Sequence, residues 1–245
     1  MSLTQRVVLC EGYSDRAFWK GWLTHLGCAQ RREDPMGRSV GRGAFGYQTP
    51  SGAFVMVVPC GDRPSVLPEA RRRLKERDLE PLLTHLVLNV DRDLDVEQPG
   101  AATGLRAEDV EREVLLIAPT AGRSPDGGMT LDDGRTTVSL VVWEAPDRGA
   151  PGIPRKQTLE RLACASIASA YPQRPHAVET WLRTRPEAPP ADHRSYAWSY
   201  MAGWHARDGC DRFFAAIWED AAVRAQLELR LKEAGSWRIA QAMAV

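Results

Sequence analysis

Four carboxylates stand at the ends of two apolar runs. The first run is QRVVLCEGYSD, Gln5 to Asp15, with Glu11 at its tip. The second is HLVLNVDRDLD, His85 to Asp95, with Asp91, Asp93 and Asp95 at its tip. Each reads as a buried strand, and residues two apart on a strand point the same way. Asp91 and Asp93 can therefore turn toward one ligand, and Asp95 adds a third acceptor. Two parallel strands side by side would bring all four acids to one edge of a sheet. Little near them in sequence neutralises so many carboxylates, so a divalent cation is the expected partner. Mg²⁺ takes a few carboxylates and keeps several waters, leaving room for phosphate oxygens. Such an ion stabilises charge on a transferring phosphoryl group and can lower the pKa of a bound water. The plainer alternative is a solvated acidic turn that caps the next helix, with Arg92 pairing among the acids.

The elements that must position these acids can be read in order. Val7 to Cys10 is a continuous apolar run suited to a central strand. Gly12 opens a turn, and Ser14 or Asp15 can cap the next helix. Phe18, Trp19, Trp22, Leu23 and Leu26 recur at three- and four-residue spacing, which predicts an amphipathic helix ending at Gly27. Residues 31–52 are rich in Gly and Arg and predict a loop or irregular hairpin. Phe54 to Pro59 reads as a second buried strand, ending at Cys60-Gly61-Asp62. A helix is expected over Pro64 to Leu79, and a third strand over Leu83 to Val90. Strand–helix–strand–helix–strand is the order of parallel βαβ units. Right-handed crossovers then put the strand ends on one edge, where such sheets bind ligands.

Beyond the Asp run, Ala107 to Ile117 predicts a helix, and the Asp-Asp-Gly within 129–136 predicts a hairpin turn. Val138 to Trp143 reads as a strand, followed by Glu144 and Asp147. Residues 145–155 are rich in Pro and Gly and mark the expected boundary. After it the pattern is helical: Lys156 to Ala170, Pro175 to Thr184, His193 to Ala206, Asp211 to Glu219 and Ala221 to Ala234. The expected architecture is an α/β domain over 1–147, with a mostly parallel sheet flanked by helices. An all-α C-terminal region over 156–245 follows it.

The motifs carry a family resemblance. VVLCEGYSD, with its strand, Glu11-Gly12 and Asp15, resembles the first motif of the Toprim domain of topoisomerases, primases, OLD-type nucleases and small RNA-maturing nucleases. FVMVV followed by Gly61 resembles that domain's middle segment, and VLNVDRDLD resembles its Asp-x-Asp motif. Order and spacing match over about residues 4–145. The resemblance implies that Glu11 is the general acid/base or a metal ligand. It implies that Asp91 and Asp93 hold metal with Asp95 assisting, and that Mg²⁺ or Mn²⁺ is the cofactor. Toprim Asp motifs are often followed soon by Gly; here Val96-Glu97 stands instead, which separates Asp95 from the other acids.

The chain carries no ATPase domain, no active-site-tyrosine topoisomerase module and no zinc-binding primase segment. It looks most like a stand-alone Toprim protein akin to the catalytic part of OLD-type nucleases. In those nucleases further acids hold a second metal; Glu144, Asp147 and Glu160 are the candidates here, Glu144 foremost because it follows a strand. A two-metal site would suit in-line phosphodiester cleavage. Asp15 and Asp62 are the remaining edge acids, each able to cap a helix or to support a metal ligand. Lys156 could steady a phosphate.

Basic and aromatic residues point the same way less sharply. Arg31, Arg32, Arg38 and Arg42 lie in the long loop, and loops more often carry function. Arg71, Arg72, Arg73, Lys75 and Arg77 run along one helix; a solvated face explains them as well as phosphate contact does. Tyr196, Trp198, Tyr200, Trp204, Phe213, Phe214 and Trp218 could stack bases, but at helical spacing they read first as core. His193 and His205 are candidate bases of the same standing.

Composition sets bounds on all this. The chain has 245 residues, 43% of them hydrophobic and 26% charged, which suits a soluble globular protein. Zero formal net charge argues against a protein-wide electrostatic grip on nucleic acid, though not against a local basic patch. Five Cys without zinc-ligand spacing predict reduced thiols in a cytoplasmic protein. No run approaches the length of a membrane span. The expected function is a metal-dependent nuclease acting on DNA or RNA, in phage defence or repair, with a separate ATPase chain as a partner by analogy. The alternatives are a non-catalytic nucleic-acid or partner-binding module, and a nucleotidyl transferase of primase type.

Overall fold

The order of apolar runs sets the order of strands. In a computed structural model, which describes residues 3–41, 43–96, 104–124, 127–146, 153–184 and 210–245, eight strands form one sheet. They are β1 (Thr4–Cys10), β2 (Ala29–Arg31), β3 (Phe45–Gln48), β4 (Phe54–Pro59), β5 (Leu82–Asp91), β6 (Gly122–Arg123), β7 (Met129–Thr130) and β8 (Thr137–Trp143). Their spatial order is β2-β3-β4-β1-β5-β8-β7-β6. The three long apolar runs occupy the centre: β4, β1 and β5 pair in parallel. Val7, Val8, Leu9 and Cys10 of β1 are fully buried, because helices cover both faces of a parallel centre. The outer pairs β2–β3, β3–β4, β6–β7 and β7–β8 are antiparallel. The α/β architecture expected from the strand–helix alternation is present, with its parallel part confined to the middle of the sheet.

The helices follow the expected spacing, with shifted ends. α1 (Tyr13–His25) starts one residue after Gly12, whose N–H donates to Asp15 Oδ2 at 2.9 Å. Asp15 therefore does capping work. After β4 the chain makes a 3-10 turn (Arg63–Ser65) before α2 (Val66–Lys75), where a single longer helix was expected. α3 spans Ala107–Ile117, matching the expected bounds. The Gly/Arg-rich stretch after α1 takes the irregular-hairpin form of the two expected: it runs from the end of β2 to β3, which pairs with β2 antiparallel.

The chain divides into two units. One comprises residues 1–90, 105–142 and 235–245; the other comprises 91–104 and 143–234. This differs from the division expected at 147–156 in two places. The Asp run 91–95 groups with the helical part, and the final helix groups with the sheet.

In the sheet-bearing unit that helix, α8 (Ser236–Ala244), buries Trp237, Ala240, Met243 and Ala244. Trp237 lies 5.7 Å from the Trp22 ring, which stacks in turn on Trp19 at 4.8 Å. Arg6 Nη1 ties the helix end down by donating to Met243 O at 3.2 Å. This apolar spacing explains why the last helix returns to α1.

The helical unit holds α4 (Leu159–Ala170), α5 (Arg174–Arg183), α6 (Cys210–Ala216) and α7 (Ala221–Glu233). α4 is buried almost all round and packs against α7. A helix enclosed on every side is a unit's centre rather than its surface. Even Arg161 is 1% exposed; its guanidinium donates to Ala145 O at 2.7 Å and Pro154 O at 2.5 Å, pinning both ends of the Pro/Gly-rich connection. No helix among the described residues is long and apolar enough to cross a membrane.

Candidate functional site

Parallel pairing decides where the central strands end. Cys10 of β1 lies beside Pro59 of β4 and beside Asn89 of β5. All three strands therefore finish at one edge: β1 is followed by Glu11, β4 by Cys60-Gly61-Asp62-Arg63, and β5 ends on Asp91. The sequence order of the three motifs thus becomes a spatial order, middle motif, first motif, Asp motif.

Glu11 is held by a residue the sequence pattern did not flag. Arg63 Nε donates to Glu11 Oε1 at 2.8 Å and Arg63 Nη2 to Oε2 at 3.3 Å. Gly61, at φ +95°, makes the reversal that brings Arg63 back toward β1; a side chain there would be strained. Asp62 caps the 3-10 turn through Ser65 N–H at 3.0 Å. The signal for Arg63 was its place two residues past the middle-motif glycine.

The Asp run is held by the segment that follows the Pro/Gly-rich connection. Asp93 N–H donates to Gln157 O at 3.0 Å, Gln157 N–H to Leu94 O at 2.9 Å, and Val96 N–H to Arg155 O at 3.2 Å. Asp95 and Lys156 face each other in an antiparallel bridge. Asp91 Oδ1 accepts from Leu159 N–H at 2.9 Å. Lys156 Nζ lies 3.6 Å from Asp93 Oδ1, and Asp93 adopts φ +57°. Glu144 pairs with Arg92 Nη1 at 2.5 Å. Gly104 packs on this run: a Cβ there would stand 3.0 Å from Arg92 O and 3.1 Å from Asp91 O, so the backbone would have to give by a few tenths of an ångström. The amide oxygen of Gln157 is buried and finds no hydrogen-bond partner among the described residues.

The remaining candidates separate. Glu160 is on the first turn of α4, half-buried. Asp147 and Arg42 lie outside the described residues, as do His193, His205, Tyr196, Trp198, Tyr200 and Trp204. Arg31, on edge strand β2, donates to Gln48 Oε1, and Arg32 is exposed. Arg38 pairs with Asp34 at 2.8 Å. The loop does come back to the carboxyl edge at Gly43, whose carbonyl accepts from Arg16 Nη1. Arg38 instead lines a cleft of about 240 Å³ with Gln5, Met56, Leu83, Arg73 and Glu76, where β1 and β5 begin.

The basic run on α2 is answered by acids. Arg71 pairs with Glu113, Arg72 with Glu69 and Glu76, Arg73 with Glu69, and Arg77 with Asp132. Of the two readings open in sequence, these pairs favour the solvated face. Phe213, Phe214 and Trp218 are buried, as helix core.

Burial works against a thiolate at this edge. Burial pushes the half-buried Cys60 thiol up to about 11, with Glu69 adding to the effect. Burial also raises Cys10 well above the ordinary range. Neither offers the lowered pKa that activates a cysteine. The oxygen donors are of the type a hard divalent cation takes. In the arrangement described, however, no group of three or more His, Cys, Asp or Glu side chains stands together as a metal cluster among the described residues.

No protein-family model and no curated protein matches the chain. Among solved structures, it is similar to the crystal structure of hypothetical protein PH0156 from Pyrococcus horikoshii OT3. The TM-score is 0.69 at 16% identity, over 99% of this chain and 100% of that one. At that identity the likeness is one of fold, and it extends from the sheet through the C-terminal helices.

Proposed function

We propose that this protein is a metal-dependent phosphodiester hydrolase acting on nucleic acid, with its site among the acids at the carboxyl edge. The observation that carries the proposal is the state of the Asp run. Residues 93–96 are held by backbone hydrogen bonds to 155–157, where the buried amide oxygen of Gln157 is without a described partner. A buried acceptor without a described partner, on the segment paired with the Asp run, is a place for a water or a cation. Asp91 and Asp93 would hold Mg²⁺ or Mn²⁺, with Asp95 and Glu144 of the same unit as further oxygen donors. Bound there, the ion would supply positive charge to a phosphodiester as it is cleaved.

The chain's own residues have separate tasks in this reading. Arg63 and Lys156 are the cations that neutralise Glu11 and Asp93 without metal. They become available to phosphate oxygens when those carboxylates change partner. Asp91 keeps α4 in place through its Oδ1. The resemblance to Toprim nucleases supports the substrate class.

A second reading has its own observation. Glu11, Asp91, Asp93 and Glu144 each already have a protein partner, as structural acids of a non-catalytic binding module would. Incubation with single- and double-stranded DNA and RNA, in Mn²⁺ and in chelator, decides between them. The hydrolase cleaves at least one substrate in Mn²⁺ only, and Asp91→Ala and Asp93→Ala abolish cleavage. Retained binding with no product in any condition establishes the module.

A further inference from the structure

Arg63 enters the edge from the turn after β4, and its guanidinium meets Glu11 as a fork. The two N–H···O distances are 2.8 and 3.3 Å. The side chains are only 21% and 17% exposed, so the pair is shielded from much of the solvent that weakens surface ion pairs. Its aim is fixed from both sides: Gly61 turns the chain at φ +95°, and Asp62 caps the turn at Ser65. A carboxylate and a phosphodiester offer a guanidinium the same target, two oxygens matched to two parallel N–H donors.

Resting on the phosphodiester reading above, we infer that Arg63 is the residue that grips a nucleic-acid phosphate at this edge, and that Glu11 acts through it. Glu11 holds the fork in its binding orientation and competes with the phosphate for it. The exchange is one of partners: the guanidinium leaves a carboxylate for a phosphodiester, and no covalent bond changes. Glu11 is then a positioning residue whose removal strengthens nucleic-acid binding, the reverse of what loss of an essential binding group would do.

The test is binding of a labelled single-stranded oligonucleotide, as DNA and as RNA, to the full chain in EDTA. Fluorescence anisotropy over a range of salt gives the affinity and the salt slope. Arg63→Gln is expected to weaken binding about tenfold and to reduce the salt slope by about one, the signature of one lost phosphate contact. Glu11→Gln is expected to tighten binding about threefold to tenfold, and the Glu11→Gln/Arg63→Gln double variant to bind like Arg63→Gln alone. Arg63→Lys keeps the charge without the fork, so it should retain the slope and lose part of the affinity. A gain from Glu11→Gln that persists in the double variant overturns the inference, because simple charge removal then explains it. So does an unchanged slope in Arg63→Gln. These results leave the hydrolase reading standing, and no binding in EDTA by the unaltered chain or any variant likewise defeats the inference alone; absence of cleavage in Mn²⁺ is what defeats the hydrolase. Circular dichroism and thermal melting confirm that each variant is folded.

Discussion

Asp91 Oδ1 accepts the backbone N–H of Leu159 at 2.9 Å, so the carboxylate that ends β5 also closes the first turn of α4. One side chain thus stands at a strand end and at a helix start. Its structural and chemical contributions separate by substitution. Asp91→Asn keeps an oxygen acceptor for the cap and should melt within a degree or so of the unaltered protein, while losing metal-dependent cleavage. Asp91→Ala loses the cap as well, which costs about 1 kcal/mol and lowers the melting temperature by roughly 2–4 °C in a protein this size. Equal destabilisation by both variants would remove the cap from the account.

Asp93 sits at φ +57°, in the left-handed region that Asn and Asp tolerate better than other side-chain-bearing residues. Asp93→Asn should therefore fold with near-native stability. Asp93→Ala should lose about 1 kcal/mol, and Asp93→Gly should recover it. Denaturant titration of the three variants checks the order. All three lack the charge, so all three should be inactive if the carboxylate binds metal.

Asn89 joins three elements where no solvent reaches. Its Oδ1 accepts from Trp19 Nε1 at 2.8 Å on α1, and its Nδ2 donates to Val141 O at 3.2 Å on β8. Asn89→Leu leaves a buried indole N–H and a buried carbonyl unpaired, each costing about 1–3 kcal/mol. A loss of roughly 2–5 kcal/mol in denaturant unfolding is expected from the same penalty, with a shift in tryptophan emission. A loss below roughly 1 kcal/mol would show that water replaces the amide.

His85 is expected to make stability depend on pH. Burial, and after it the nearby Arg6, lowers its pKa from 6.5 to about 4. The folded protein therefore holds a neutral imidazole where the unfolded chain binds a proton. Stability from this group is fully present above pH 6.5 and is lost as pH falls from 6.5 toward about 4. Thermal melting across that window should show a smaller decline for His85→Asn than for the unaltered chain. Parallel curves would mean that other groups set the acid limit.

Much of the fold was legible because local pattern and tertiary role agree. Val7 to Cys10, Phe54 to Pro59 and Leu83 to Val90 are apolar without alternation, and such runs are stable only where both faces are covered. α3 was placed to the residue by its apolar spacing. The split of the expected second helix into a 3-10 turn and α2 was not legible, because it depends on Asp62 capping Ser65. The destination of α8 was also hidden: its spacing shows an apolar face, but not that Trp22 is what the face meets.

The sequence by itself determined which residues are the candidates: Glu11 after one buried run and Asp91, Asp93 and Asp95 after another. It did so because strand periodicity and carboxylate chemistry are both local properties. Only the tertiary structure decided their partners. Parallel register brought the ends of β1, β4 and β5 to one edge. The fold then gave Glu11 to Arg63, Asp93 to Lys156 and Asp91 to the start of α4. Those pairings join residues 52, 63 and 68 positions apart. A contact over such separations is set by strand order and by packing of the whole chain, which no short stretch of sequence encodes.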